Sequence, residues 1–180
     1  MTQDDNGHKR DILSIIRERR STRMYKKKAP PEEEIEKILE AGRWAPSGLN
    51  NQPWRFLVMK DKAKKDGLAE FTRYGNIIKD APVVIVACMD VADSYNRDKD
   101  LMAVGACIQN MLLQAHSMGL GSCWLGEITN RKKDVSSYLK LHQDHELMSV
   151  IALGYSDEGV TEGCRKTLKS LMIEPADTPE

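Results

Sequence analysis

The sequence predicts one domain in which helices and strands alternate around a single sheet of at least four strands. Its 180 residues match the size of one ordinary domain, and no shift in composition marks a linker. Apolar residues make up 41% of the chain, which is enough for a buried core. We therefore expect a single domain over residues 1–180, with flexible tails at about 1–10 and 175–180.

Two helices are expected before residue 45. Residues 11–20 carry three isoleucines at helical spacing and end in a run of basic residues. Pro30 and Pro31, followed by three glutamates, mark the start of a second helix, because proline is tolerated in the first turn and carboxylates complement the positive end of the helix dipole. Residues 45–53 form a loop, since two prolines and a glycine disfavour both helix and strand.

The middle of the chain predicts two strands and the longest helix. Residues 54–59 form a strand, and 83–89, an unbroken apolar run rich in β-branched residues, form one buried on both faces. Between them, 61–81 predicts a lysine-rich amphipathic helix and a short second helical piece. From Asp100 the helical spacing continues for four turns until Gly119, which supplies a C-terminal stop.

The last elements are shorter. We expect a strand at 122–125, a helix at 131–141 and an apolar strand at 147–153. Gly105 and Ala106, inside the long helix, indicate that another helix approaches closely, and a second copy of the chain could supply it.

Composition excludes several classes of function. Lysine plus arginine and aspartate plus glutamate both number 27, so no net positive field favours nucleic acid. The longest apolar run is far shorter than the roughly 20 residues that span a bilayer, and the polar N-terminus has no signal-peptide pattern. A cytoplasmic protein is expected. The four cysteines and four histidines show no ligand spacing, so we assign no metal site.

Four polar clusters are not explained by core packing. The run RRSTR at 19–23 can bind a phosphate through guanidinium groups and a hydroxyl, although a solvated helix end is the alternative. The loop at 45–53 offers amide side chains on a rigid backbone, which suits the polar edge of a heteroaromatic ring. Glycines in 119–127 let the backbone approach a flat ligand or simply form a turn. The pair Arg165-Lys166 carries no meaning by itself.

In this order and at these separations, the clusters resemble the FMN-dependent nitroreductase family. The motifs are RRSTR (19–23), APSGLNNQPWRF (45–56), GLGSCWLGE (119–127), SVIALGY (149–155) and the terminal RK. The resemblance runs from residue 12 to about 173. It implies an α+β fold, an α-β-α sandwich with a central mixed, mostly antiparallel sheet. It also implies an intertwined homodimer with FMN at the subunit interface.

The resemblance assigns the flavin-binding residues. The phosphate and flavin-edge contacts are Arg19, Arg20, Ser21, Arg23, Arg165 and the weaker candidate Lys166. The residues that reach the flavin of the partner subunit are Pro46, Ser47 and Asn50. The backbone at the isoalloxazine ring, with a donor for N5, belongs to Leu125 and Gly126. No catalytic side chain is assigned, because the cofactor supplies the chemistry, and a further contact from Arg73 or Asn76 stays open.

The implied activity takes hydride from NADH or NADPH through FMN to a nitroaromatic, a quinone or a similar small planar acceptor. Three alternatives remain: a reductive dehalogenase, a flavin-cleaving enzyme or a non-catalytic flavin-binding module. Family members often carry a long excursion over the flavin, whereas segments 61–81 and 90–99 are short here. We therefore expect an open pocket, which counts against a lid-bearing dehalogenase. The acceptor and the preferred nicotinamide are not determined by the sequence.

Overall fold

A computed structural model describes residues 11–159 and 161–173. The tails predicted at about 1–10 and 175–180 lie outside the described residues. The helices are α1 (Ile12–Glu18), α2 (Glu32–Arg43), α3 (Lys62–Ala69), α4 (Gly75–Asp80), α5 (Arg97–Ser117) and α6 (Lys132–Leu139). The strands are β1 (Trp54–Met59), β2 (Val83–Asp90), β3 (Gly121–Leu125) and β4 (His145–Gly154). Short 3-10 turns span Gly48–Asn50, Glu127–Arg131 and Lys169–Leu171.

The four strands form one sheet in the order β1-β2-β4-β3, and every neighbouring pair is antiparallel. The parallel component of the predicted mixed sheet is limited, in the described ranges, to an isolated bridge between Ser21 and Ser122. All eight residues of β2 are buried, as the unbroken apolar run predicts. The α+β prediction is confirmed.

Helices cover both faces of the sheet, which gives the predicted α-β-α layers. On one face, Ile35 and Ile38 of α2 pack with α5. On the other, Leu68 of α3, Ile78 of α4 and Val135 of α6 form a second core. None of the described helices has the length and apolar character that a membrane crossing requires.

Several element boundaries differ from the sequence predictions. Helix α1 starts after Asp11, whose side chain accepts from the Ser14 N–H at 2.8 Å, and ends at Glu18, so the run 19–23 lies outside it. Helix α5 begins three residues before Asp100, because the side chain of Asn96 caps it by accepting from the Lys99 N–H. Periodicity locates the apolar face of a helix, whereas these caps set its ends.

We predict that Ile85→Ala lowers the free energy of unfolding by about 2–5 kcal/mol, since it opens a cavity under the central strand β2. Ile12→Ala is the matched control. Ile12 is 72% exposed, so the same chemical change there should shift stability by only about 0.5 kcal/mol. Denaturant unfolding measures both. Equal losses in the two variants would contradict the assignment of β2 to the core.

Candidate functional site

The basic run 19–23 lies along the free edge of β3. The Thr22 N–H donates to the Ser122 carbonyl at 3.0 Å, so the run is bound to the sheet by a backbone hydrogen bond. Thr22 is buried against Gly121, where a Cβ would lie 2.5 Å from the Thr22 hydroxyl. Glycine at 121 therefore permits this close approach, and the arginines on either side of Thr22 are held at the sheet edge.

Arg165 lies near enough to Arg19 for the two positive charges to repel each other. Burial lowers the pKa of Arg19, and the positive charges of Arg165 and Arg20 lower it further. The Arg19 side chain is half-buried and donates no hydrogen bond within the described part of the chain. A partly desolvated cation beside like charges is unfavourable until an anion joins it, so this group of charges suits an anion such as a phosphate.

A cavity of about 410 Å³ opens beside Arg19. Its walls come from Arg19, Arg20, His116 and the start of β3, together with the acidic residues Glu18 and Glu158. Ser122 of β3 lies at its wall, where the side-chain hydroxyl is fully buried and finds no hydrogen-bond partner in the described ranges. Buried hydroxyls almost always have a partner, so this unpartnered hydroxyl is an exception in the described part of the chain.

Arg20 has a different environment from Arg19. Its guanidinium donates to the carbonyls of Arg17 at 2.6 Å, Arg19 at 2.8 Å and Thr161 at 3.1 Å. These bonds tie the C-terminal segment to the end of α1. The side chain also fills the space over Gly163, where a Cβ would lie 2.3 Å from it. Arg20 thus has a structural task whether or not it also contacts a ligand.

The other predicted basic residues are more dispersed. Arg23 donates to the Ser21 carbonyl at 3.1 Å and lines a separate cavity of about 610 Å³ with Asn76. Lys166 is exposed. Arg19 therefore lies within the electrostatic influence of Arg20 and Arg165, whereas Arg23 lines a different cavity and Lys166 is exposed.

The end of β3 presents a free backbone donor. Leu125 is buried, whereas Gly126 is exposed and its N–H donates to no group in the described ranges. The Gly126 carbonyl accepts from the N–H of Thr129 at 3.1 Å and from its hydroxyl at 2.8 Å. The Gly126 N–H belongs to the peptide bond with Leu125, whose carbonyl accepts from the Ser149 hydroxyl at 3.4 Å. That peptide is held on its carbonyl side and open on its amide side, which suits an acceptor atom on a ring edge.

Glu127 links this donor to the segment before α4. The Thr72 hydroxyl donates to Glu127 at 2.5 Å, and Arg73 lies 3.5 Å from the same carboxylate. The Thr72 hydrogen bond is the main cause that lowers the pKa of Glu127, so the carboxylate stays ionised. Arg73 is thereby held near Gly126, whereas Asn76 lies in the separate cavity beside Arg23.

The loop with Pro46, Ser47 and Asn50 has an unusual backbone. Leu49, Asn50 and Gln52 have φ angles of 54°, 55° and 48°, a left-handed conformation that costs of order 1–3 kcal/mol for each residue without compensation. The Ser47 hydroxyl accepts from the Gln52 N–H at 3.0 Å. Pro46 and Ser47 also line a cavity of about 320 Å³ against the N-terminal half of α5.

One chain does not bring the two halves of the predicted site together. Pro46 and Ser47 face Met102 near the start of α5, whereas Arg19 shares its cavity with His116 near the end. At 1.5 Å per residue, these two positions on α5 are roughly 20 Å apart. The loop leads into β1 and the basic run lies along β3, and these two strands are the opposite edges of the sheet.

Comparisons with known proteins identify the family of this chain. Residues 16–77 and 72–155 match the model of the Nitroreductase family. The chain is also 35% identical over 157 residues to a protein of Methanothermobacter thermautotrophicus provisionally named NADH dehydrogenase/NAD(P)H nitroreductase, which covers 86% of this chain and 82% of that protein. The chain belongs to the nitroreductase family.

Two further nitroreductase-family relatives bear on the site. A provisionally named nitroreductase from Desulfovibrio desulfuricans, solved in complex with FMN, superposes with a TM-score of 0.89 at 43% identity, covering 94% of this chain and 99% of that one. The iodotyrosine deiodinase of Thermotoga neapolitana is 26% identical over 172 residues, or 82% of this chain and 89% of that protein. The predicted family, fold and oxidoreductase class are confirmed, and the acceptor is not decided by these relatives.

Sequence reasoning missed three polar groups near the site. Ser122 and Glu127 lie within the glycine-rich segment that the sequence singled out, but nothing local indicated a buried hydroxyl or a partner at Thr72. Asp100, which is fully buried at the start of α5, carried no signal, because carboxylates are common in the first turn of a helix.

Proposed function

We propose that this nitroreductase-family chain is an FMN-dependent oxidoreductase that uses NADH or NADPH to reduce a small planar acceptor such as a nitroaromatic or a quinone. The observation that carries the proposal is the half-buried side chain of Arg19 at the edge of β3, which donates no hydrogen bond in the described ranges and lies within the electrostatic influence of Arg165 and Arg20. The FMN complex of the similar Desulfovibrio desulfuricans protein supports it.

In this proposal the protein holds the cofactor with charge and backbone donors. Arg19 and Arg165 bind the phosphate with Ser21 nearby, and the Gly126 N–H faces the ring edge. FMN, when bound, supplies the hydride-transfer chemistry, so no side chain acts as nucleophile. The positive charges of the arginines and the free N–H favour negative charge on the bound group.

The active unit in this proposal is a homodimer. Each chain has a basic cradle, formed by Arg19 and Arg165, near the C-terminal end of α5 and a loop near its N-terminal end. If the α5 helices of two chains pair in antiparallel fashion, the cradle of one chain meets the loop of the other at two sites. Met102 of α5 is 70% exposed, and a Cβ at Gly105 would meet no atom within 4 Å. This open apolar stretch supports helix pairing between two copies.

A reductive dehalogenase is the second candidate, because iodotyrosine deiodinase is among the relatives. The structure favours it less. The segment between β1 and β2 is occupied by α3 and α4, whose Leu68 and Ile78 are fully buried, so this segment is committed to the core. A panel of nitroaromatics, quinones and halogenated phenols in steady-state turnover separates the two. FMN that neither nicotinamide reduces would instead favour a non-catalytic module, and loss of the flavin ring in oxygen would favour a flavin-cleaving enzyme.

We predict that Arg19→Ala and Arg165→Ala each weaken FMN binding by about one to two orders of magnitude and leave riboflavin binding nearly unchanged. Each arginine donates a charge-assisted hydrogen bond to a phosphate that riboflavin lacks. Arg43→Ala, which removes an exposed arginine paired with Glu40, is the control. Fluorescence titration gives both affinities, and equal losses for the two flavins would contradict the cradle.

The free donor at Gly126 allows a matched pair of variants. Gly126 has φ −80° and ψ −24°, which proline can adopt, so Gly126→Pro removes the N–H with little change in backbone. Gly126→Ala keeps the N–H, and its Cβ would meet only the Trp124 ring, at 3.9 Å. We expect proline, but not alanine, to slow reduction of the bound flavin by at least about tenfold in anaerobic stopped-flow. Similar rates in both variants would show that this N–H is not used.

The shared site predicts complementation between two defective chains. Arg19→Ala damages the cradle, and Asn50→Gly removes an amide side chain while glycine tolerates the φ of 55°. If each loop serves the partner, chains mixed and refolded together should regain up to about one quarter of the wild-type FMN sites, because half of random dimers carry one intact site. Sedimentation should show dimers at micromolar concentration. A flavin-loaded monomer, or no recovery on mixing, would contradict the dimeric site.

A further inference from the structure

We propose that Asp100 is a positioning residue that holds the flavin-facing loop, residues 46–52, in the conformation that binds the cofactor. The inference rests on the proposed function, because it concerns how the loop is prepared for FMN. It adds a residue outside the motifs that carry the family resemblance.

The carboxylate of Asp100 is fully buried and accepts hydrogen bonds from two loops. The Asn51 amide donates to Oδ1 at 2.8 Å, and the Ser94 hydroxyl donates to Oδ2 at 2.6 Å. The Asn96 N–H lies 3.4 Å from the same Oδ2. No described arginine, lysine or histidine forms an ion pair with it. Neutral donors alone therefore surround a buried carboxylate.

These donors keep the group ionised. Burial acts to raise the pKa of Asp100, but the hydrogen bonds from Ser94 and Asn51 outweigh it, and the pKa lies below its ordinary value. A buried charge without a counter-ion is costly to place, so a carboxylate at a purely structural position would be better replaced by an apolar side chain. The hydrogen bonds that Asp100 accepts from the two loops account for a carboxylate at this buried position.

Asn51 connects the Asp100 carboxylate to the backbone of the loop. It lies between Asn50 and Gln52, both left-handed, and both hydrogens of its amide are used, one by Asp100 and one by the Asp93 carbonyl at 3.1 Å. Its own side-chain oxygen is buried with no donor in the described ranges. A side chain held this firmly fixes the backbone at the point where the left-handed residues would otherwise relax.

A second contact joins the same two loops. A Cβ at Gly48 would lie 1.8 Å from the Tyr95 hydroxyl, so glycine lets the Tyr95 side chain pack directly on the loop backbone. Tyr95 is adjacent to Ser94 and Asn96, the other donors to Asp100. The loop before β1 and the loop before α5 are thus held as one unit by the first turn of α5, the helix that in the proposed dimer also faces the partner.

The test uses Asp100→Asn, with Asp98→Asn as the matched control. Asp98 lies in the same helical turn, is exposed, and loses the same charge. We expect Asp100→Asn to increase amide hydrogen exchange in residues 47–52 by at least about tenfold and to weaken FMN affinity by about tenfold or more. The control should stay within about twofold of wild type in both measurements.

Rescue distinguishes positioning from packing. Asn51→Asp sets two carboxylates against each other and should impair FMN binding, whereas the double variant Asp100→Asn/Asn51→Asp restores a donor-acceptor pair in the opposite sense and should recover at least part of the affinity. If Asp100→Asn does not fold, Asn51→Ala provides the same loop-exchange and affinity measurements with the carboxylate in place.

Some results would overturn the inference. One is an Asp100→Asn protein that is less stable but has wild-type FMN affinity and wild-type exchange in residues 47–52. Failure of the proposed function is separate, since it appears as a wild-type protein that does not bind FMN. In that case the exchange comparison alone still supports or contradicts the anchor.

Discussion

The packing of α5 against the sheet is the constraint on which the rest of the structure depends. The 21 residues of α5 bury one side against α2 and the strands, with Val104, Ile108 and Met111 in the core. This rigid element sets the separation between the loop at its start and the basic run near its end. Because a packed helix neither bends nor shortens, one chain presents two half-sites, and a complete site as proposed requires a second copy.

The proposed site relies on positive charge and a backbone donor more than on reactive side chains. Arg19 and Arg165 gather positive charge near the edge of β3, and Gly126 offers a free backbone N–H next to a carbonyl that Thr129 holds. Arg20, in the same run, is bound instead to backbone carbonyls and holds the C-terminal segment. Neighbouring arginines therefore have different tasks, because only the partners of each guanidinium decide whether its charge is free to meet a ligand.

The loop before β1 shows how strained backbone is maintained. Three non-glycine residues are left-handed there. They are compensated by hydrogen bonds that the Ser47 hydroxyl accepts from the Gln52 N–H and that the Asp100 carboxylate accepts from the Asn51 amide. Such bonds are worth more in a buried setting than in water, since the alternative is an unsatisfied polar group. The proposed role of Asp100 follows from this balance and concerns preparation of the loop before any ligand arrives.

The main strands, the long helix and the motifs could be predicted from the sequence, whereas the α-β-α layers were implied by the family resemblance. Burial and periodicity leave local patterns in a sequence, so the apolar run of β2 and the helical spacing of α5 could be predicted directly. The RRSTR cluster was recognised by its composition. Tertiary structure alone decided that Arg20 is bound to carbonyls, that the Ser122 hydroxyl is buried without a partner, and that Asp100 holds Asn51. These facts depend on residues far apart in the chain, and the hydrogen bond between residues 51 and 100 exists only after the sheet and α5 have packed. Periodicity reports which side of an element is buried, whereas the partner of a polar atom is set by the three-dimensional path of the backbone.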